Sequence, residues 1–317
     1  MADCITALEY EDGVTAIDSG ISRPQMAACY LLETESGLAV IETGVNASAD
    51  RIMQVIAQHD RSGDEVSHII VTHVHLDHAG GAGLLMEMLP HATLVVHPRG
   101  ARHMIDPSRL EASARLVYGD AEFERMFGAP VPVSEERVRV MEDGEDLEVG
   151  GRRLHFIDTP GHARHHFCVW DEHSRGWFTG DTFGISYREL DTANGPFIFP
   201  TTTPIQFDPP ALIASMERMM ARSPASMYLT HFGRVQDVER LHGDMIAGVY
   251  EFAELGERFD GQENRDERIA GAMMAGLVAR ARDHGVDMPD EQLRDVLAAD
   301  VELNTQGVAF WLDHGRD

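Results

Sequence analysis

The chain has 317 residues, 43% of them hydrophobic, which is enough for a substantial core and points to one main domain with an appendage. Its 53 acidic residues stand against 26 basic ones, all of them arginine, and the resulting net charge of −27 repels polyanions and argues against a nucleic-acid partner. No stretch of about eighteen apolar residues suggests a membrane partner, the opening MADCITALEYEDG does not read as a signal peptide, and the scattered Cys4, Cys29 and Cys168 suggest neither a disulfide framework nor a CxxC metal site, so a reducing cytoplasm is the expected location.

In chain order, GVTAID, AACYLLET and LAVIET, within residues 13 to 43, are short β-like runs broken by glycine and proline, the pattern of antiparallel strands. Residues 46 to 60 predict a helix with Ile52, Val55 and Ile56 on one side. A strand at 68 to 71 then leads into THVHLDHAGG, residues 72 to 81, and a helix through Leu84, Leu85 and Met88 stops at Pro90. After the strand TLVVHP, residues 99 to 128 predict a helical insertion, and strand-like runs follow at 138 to 149, 153 to 158, 166 to 170 and 176 to 180.

Residues 183 to 208, rich in aromatics, Pro and Thr, predict a long ordered loop of the kind that often serves as a lid. From Pro209 the pattern turns helical, returns to one strand, ASMYLTH, and from about Val235 stays helical to the end. These patterns predict a main domain over 1–235 and a helical C-terminal extension over 236–317, whose Ile246, Val249, Phe252, Met273, Leu277 and Leu297 are spaced like core faces. A homodimer contact or a wall of the substrate pocket is the other use such a tail could have.

THVHLDHAGG gathers the residue types that chemistry needs for a metal. In an extended segment, positions two apart point the same way, so His73 and His75 can converge on one ion. Asp77 and His78, at the start of the following helix, would face a second point, and Gly80 and Gly81 would let that helix pack closely. Imidazole with carboxylate suits zinc, and also iron or manganese, better than calcium or magnesium.

The spacing resembles the HxHxDH signature of the metallo-β-lactamase superfamily. DTPGH (158 to 162), FTGD (178 to 181) and LTHFG (229 to 233) resemble that family's remaining metal motifs, in its order. The resemblance implies an α/β fold, the αβ/βα four-layer sandwich, and two divalent metal ions, Zn2+ first with Fe or Mn as alternatives. It implies His73, His75 and His162 at the first ion, Asp77, His78 and His231 at the second, and Asp181 bridging them.

IETG (41 to 44) departs from the family, which has aspartate where this chain has Glu42; that glutamate could hold a ligand histidine by its second nitrogen or be an ordinary turn carboxylate. GHARHH resembles the family's GHTxGH, making His166 a pocket or supporting group and leaving His165 between surface and pocket. Tyr187 resembles the tyrosine that assists the substrate carbonyl in lactonase members, and with Asp77 it forms the candidate catalytic pair.

The implied reaction is hydrolysis by a metal-bridging hydroxide. The absence of lysine weakens a glutathione-thioester hydrolase, and the charge weakens a nuclease, which leaves a small-molecule lactone or carboxylic ester, with the apolar FIFP (197 to 200) lining or covering the pocket. The alternatives are a mononuclear iron persulfide dioxygenase using His73, His162 and Asp181, a thioesterase or phosphodiesterase of the same fold, and a metal-stabilised binding protein.

Overall fold

A computed structural model describes residues 6–202 and 205–315, so Cys4 and positions 203 and 204 of the long loop lie outside the described residues. Two compact units are present: Met1–Asp158 with His165–Gly180 and Pro224–Gln236, and Thr159–Arg164 with Asp181–Ser223 and Asp237–Asp317.

The first unit holds both sheets. Strands β1 (Ala7–Tyr10), β2 (Val14–Asp18), β3 (Ala28–Thr34), β4 (Gly37–Ile41), β5 (Val66–Ile70), β6 (Thr93–Val96) and β7 (Val138–Val140) pair in sequence order. The pairing is antiparallel as far as β4 and parallel from β4 to β7. The second sheet runs β8 (Asp146–Val149), β9 (Arg152–Asp158), β10 (Phe167–Asp171), β11 (Gly176–Phe178), β12 (Ser226–Leu229) and β13 (Gly233–Val235), with one parallel pair, β11 with β12.

Side-chain alternation explains the layering. In β3 and β4, Cys29, Leu31, Leu38 and Val40 face one core, shared with Ile52, Val55 and Ile56 of α1 (Ser48–Gln58) and Leu85 and Met86 of α3 (Ala82–Met88). Their neighbours Tyr30, Leu32, Ala39 and Ile41 face a second core, shared with Leu154, Phe156, Phe167, Val169 and Phe178 of the other sheet. A sheet covered on both faces reads as nearly unbroken apolar strands, as β2, β4 and β10 do. The layered α/β class expected from the sequence is present, with α2 (Leu76–Ala79) inside the segment THVHLDHAGG and just ahead of α3.

Three helices, α4 (Pro98–Ile105), α5 (Ser108–Tyr118) and α6 (Asp120–Met126), make up the insertion predicted at 99 to 128. The run at 138 to 149 is not one strand: β7 belongs to the first sheet and β8 to the second, with the turn at Glu142–Glu145 between them. Strands β1 and β13 also arise where none was predicted.

The second unit holds α7 (Pro209–Met220), α8 (Val238–Phe259), α9 (Arg265–His284) and α10 (Asp290–His314), so the helical C-terminal region is present. None of the described helices is long and apolar enough to cross a membrane. The loop at 183 to 208 is fastened to this unit by side chains that satisfy its backbone. Arg240 donates to Pro196 O at 3.0 Å, His284 Nε2 donates to Gly195 O at 2.9 Å, Asn304 Nδ2 donates to Pro200 O at 3.2 Å, and Asn304 Oδ1 accepts from Thr202 N at 2.6 Å. Phe197, Ile198 and Phe199 are buried. Side-chain partners thus supplement the loop's own backbone pairs, Ile185 with Phe199 and Thr192 with Gly195.

Candidate metal centre

The residues of the HxHxDH motif lie at the carboxyl ends of strands in the first unit, where open α/β sheets present their ligands. Beyond the end of β5 the chain bends at Thr72 and His73, His75 caps α2 with φ −65° and ψ 150°, and Asp77 and His78 fall in that helix's single turn. Strand β12 ends at Leu229, two residues before His231. The motif is pinned to the segment after β4, because Thr43 donates from both its backbone N–H (2.7 Å) and its hydroxyl (2.9 Å) to His78 O, and Gly81 N–H donates to Gly44 O at 2.9 Å. A Cβ on Gly81 would lie 2.5 Å from Val45 O and 2.7 Å from Thr43 O, so only glycine lets the helix come this near.

Hydrogen bonds at the outer nitrogens fix which atoms face inward. His78 Nδ1–H donates to Glu42 Oε1 at 3.2 Å, and His231 Nδ1–H donates to the backbone oxygen of Met26 at 2.8 Å. Each imidazole then turns the lone pair of Nε2 toward Asp77 Oδ2, at 3.5 Å from His78 and 3.4 Å from His231. Asp77, His78 and His231 each offer one donor atom, all within 4.8 Å of one another. Two lone pairs and a carboxylate converging in a largely buried place repel one another, and a divalent cation is the partner this donor set suits.

His73 follows the same rule. Its Nδ1–H donates to Thr72 Oγ1 at 3.1 Å, leaving Nε2 directed at His75 Nδ1 at 2.7 Å. His73, His78 and Glu42 are almost fully buried, which keeps water from competing for these bonds.

In the second unit, His162 Nδ1–H donates to Thr201 O at 3.2 Å, and its Nε2 stands 3.1 Å from Asp181 Oδ2, again an inward nitrogen beside a carboxylate. Gly161, with φ +126°, places His162: a Cβ there would sit 2.2 Å from the backbone nitrogen of Leu212, in the first turn of α7. That close approach is why the DTPGH motif carries glycine at this position.

Glu42, legible in the sequence only as a departure, turns out to be a hub. It adopts φ +63° just past β4, accepts from Thr72 N–H at 3.2 Å, from the Thr72 hydroxyl, and from the Thr230 hydroxyl at 3.3 Å, and holds His78 as described. His166 is fully buried and stacks on His73 with ring centroids 4.7 Å apart. His165 is partly exposed and lies edge-on to His75 at 5.4 Å, which places it beside the motif.

Tyr187 is buried in the second unit, and its hydroxyl donates to Asp300 Oδ1 on α10 at 3.2 Å. A Tyr187→Phe variant leaves that buried carboxylate short of a donor and is expected to unfold at lower denaturant, by about 1–3 kcal/mol. Parallel kinetics then divide the two uses of this residue. A drop in kcat larger than the stability loss explains would assign it to the reaction, and an unchanged kcat would leave it a structural group.

Fold and donor set together define an αβ/βα sandwich of hydrolase type with side chains that could hold a metal. Residues 22–231 match the family model described as the metallo-beta-lactamase superfamily, and the chain belongs to that superfamily of metallohydrolases. A metallo-beta-lactamase fold-containing protein of Sulfurisphaera tokodaii is 29% identical over 229 residues, which span 70% of this chain and 79% of that one. A protein named as a thioesterase, pkgB of Emericella nidulans, is 26% identical over 182 residues, spanning 55% of this chain and 42% of its own. Among solved structures, an archaeal member from Sulfolobus tokodaii superposes with a TM-score of 0.66 at 24% identity, over 93% of this chain and 98% of that one. A metallo-beta-lactamase family protein from Thermus thermophilus gives 0.61 at 21% identity, over 90% and 93%.

Proposed function

We propose that the chain is a dinuclear, zinc-type hydrolase of a lactone or carboxylic ester, acting on a small molecule in a reducing cytoplasm. The observation that carries this reading is the orientation of the imidazoles. Outer nitrogens bound to Glu42, Met26 O and Thr72 leave electron pairs aimed inward beside Asp77 and His75. On the family's pattern, His162 and Asp181 would serve as ion ligands in addition to His73 and His75.

When bound, the ions would lower the pKa of a water to roughly 7 and polarise the substrate carbonyl. The chain's own residues do the rest. His73, His78 and His231 are buried and held by their second nitrogens, so they keep the donor geometry rigid. Asp77 has the most exposed side chain of the second set, at 30%, and is the group placed to take a proton from the attacking water and return it to the leaving alkoxide. A net charge of −27 favours an uncharged or weakly anionic substrate over a polyanion. The likeness to a thioesterase supports acyl transfer to water as the reaction class.

The test is a panel of lactones, aryl esters, thioesters, phosphodiesters and a chromogenic β-lactam, run on zinc-, manganese- and iron-loaded protein with an oxygen electrode in the same vessel. Lactones or carboxylic esters should turn over fastest, without oxygen uptake. Oxygen consumption with a persulfide substrate and silence toward every ester would overturn the proposal in favour of the dioxygenase.

A further inference from the structure

One carboxylate reaches a histidine of each ion site. Glu42 Oε1 accepts directly from His78 Nδ1–H at 3.2 Å, and it also accepts from the Thr72 hydroxyl, whose oxygen in turn accepts from His73 Nδ1–H at 3.1 Å. All four residues are buried and belong to the first unit. The left-handed backbone at Glu42, φ +63°, aims the side chain at the end of the sandwich, and its length lets it accept from Thr230 beyond β12 as well as from Thr72 beyond β5. A single anion is therefore tied to the ends of both sheets.

We propose that Glu42 and Thr72 are positioning residues that couple the two ion sites, with Glu42 acting on the His78 site directly and on the His73 site only through the Thr72 hydroxyl. The proposal rests on the two-ion reading above. First, a donor bond at Nδ1 holds each ring in the tautomer whose other nitrogen binds the ion, and the negative end of that chain makes the imidazole a better electron donor. Second, hydrogen bonds in series polarise one another in a dry site, so a change at Glu42 reaches both rings, whereas loss of the Thr72 hydroxyl cuts the path to His73 and leaves the Glu42–His78 bond in place. Thr72 has a further bond to Glu42 from its backbone N–H, at 3.2 Å, which survives loss of the hydroxyl and keeps the segment in place.

The experiment reads ion affinity and makes no use of turnover. Apoprotein is titrated with Zn2+ against a competing chelator, in the wild type and in two backgrounds that each keep one site: His78→Ala for the His73 site and His73→Ala for the His78 site. Thr72→Val should weaken the ion that remains in the His78→Ala background by about 10-fold or more and leave the one in the His73→Ala background within about 2-fold. Glu42→Gln should weaken both by about 10–100-fold, and Glu42→Asp, one methylene shorter, should recover only part of the loss.

A residue that merely props up the fold would move both sites alike and lower the thermal midpoint of the apoprotein with them. The coupling is overturned if Thr72→Val weakens both sites equally, or if Glu42→Gln leaves both affinities at their wild-type values. A wild type that takes up fewer than two ions overturns the two-ion reading, and the coupling with it, which keeps the two failures distinct.

Discussion

A His75→Ala variant is expected to lose about 10³-fold in kcat/KM toward whichever ester the wild type hydrolyses fastest, and to bind less than the wild-type complement of metal. The loss follows from position. His75 caps α2 in extended conformation, and its Nδ1 lies 2.7 Å from His73 Nε2, so on the proposed reading its removal takes one of the two nitrogens that the first unit would offer to the first ion. If the ions supply several kcal/mol of transition-state stabilisation, loss of about 4 kcal/mol corresponds to the stated factor. The imidazole is partly exposed and fills no core, so the apoprotein should unfold close to the wild-type midpoint. Turnover and metal content both at wild-type levels would remove His75 from the site.

The largest effect on stability is expected away from the metal motif, at Arg152. This side chain, 7% exposed, forks onto the fully buried Asp171 through Nε at 2.8 Å and Nη2 at 2.5 Å, while Nη1 donates to the backbone oxygens of Asp12 and Glu33, the latter at 3.3 Å. It thus ties β9 and β10 of the second sheet to the ends of β2 and β3 in the first. Truncation to alanine strands a buried carboxylate and two backbone acceptors, and should cost about 3–5 kcal/mol in urea unfolding at neutral pH.

The same pair sets a pH dependence. Burial alone would raise the Asp171 carboxyl, but the Arg152 guanidinium and the bonds from Ser174 outweigh it and hold the group below the usual aspartate range. A depressed folded-state value means that the stabilisation is complete above the unfolded value of about 3.9 and is lost as pH falls through the folded one. Wild-type protein should therefore lose this contribution only under strongly acid conditions, and Arg152→Ala should show no such loss. A penalty under about 1 kcal/mol at neutral pH would show the pair to be dispensable.

Much of the fold was legible because the strands are short, apolar and punctuated, and because α1 and α3 carry their core positions at helical spacing. Strands β1 and β13 were not legible: four and three residues long, they exist by pairing with β2 and β12, and a pairing partner leaves no mark on local pattern. For the same reason residues 138 to 149 read as one run, although the chain changes sheets across the turn at Glu142–Glu145. The composition of residues 183 to 208 predicted an ordered loop, but the side chains that fasten its residues 195 to 202 come from α8, α9 and α10, as far away in sequence as Asn304.

At the candidate site, ligand spacing pointed to His73, His75, Asp77 and His78 from one decapeptide, whereas His162, Asp181 and His231 rested on resemblance alone. Glu42 stood out as an anomaly against the family pattern. Its bonds to Thr72, His78 and Thr230 depend on a left-handed backbone at one strand end and on the approach of two others, and neither is encoded in its neighbourhood.

The central claim is that these side chains hold ions that turn water into the attacking group. Its most direct test is a reconstitution in which apoprotein receives Zn2+ in steps while ester hydrolysis and bound metal are measured on the same sample. Hydrolysis should be absent at zero metal, should rise only as ions are bound up to two per chain, and should vanish again with a chelator. Metal-free protein that hydrolyses the ester as fast as the loaded form would contradict the account.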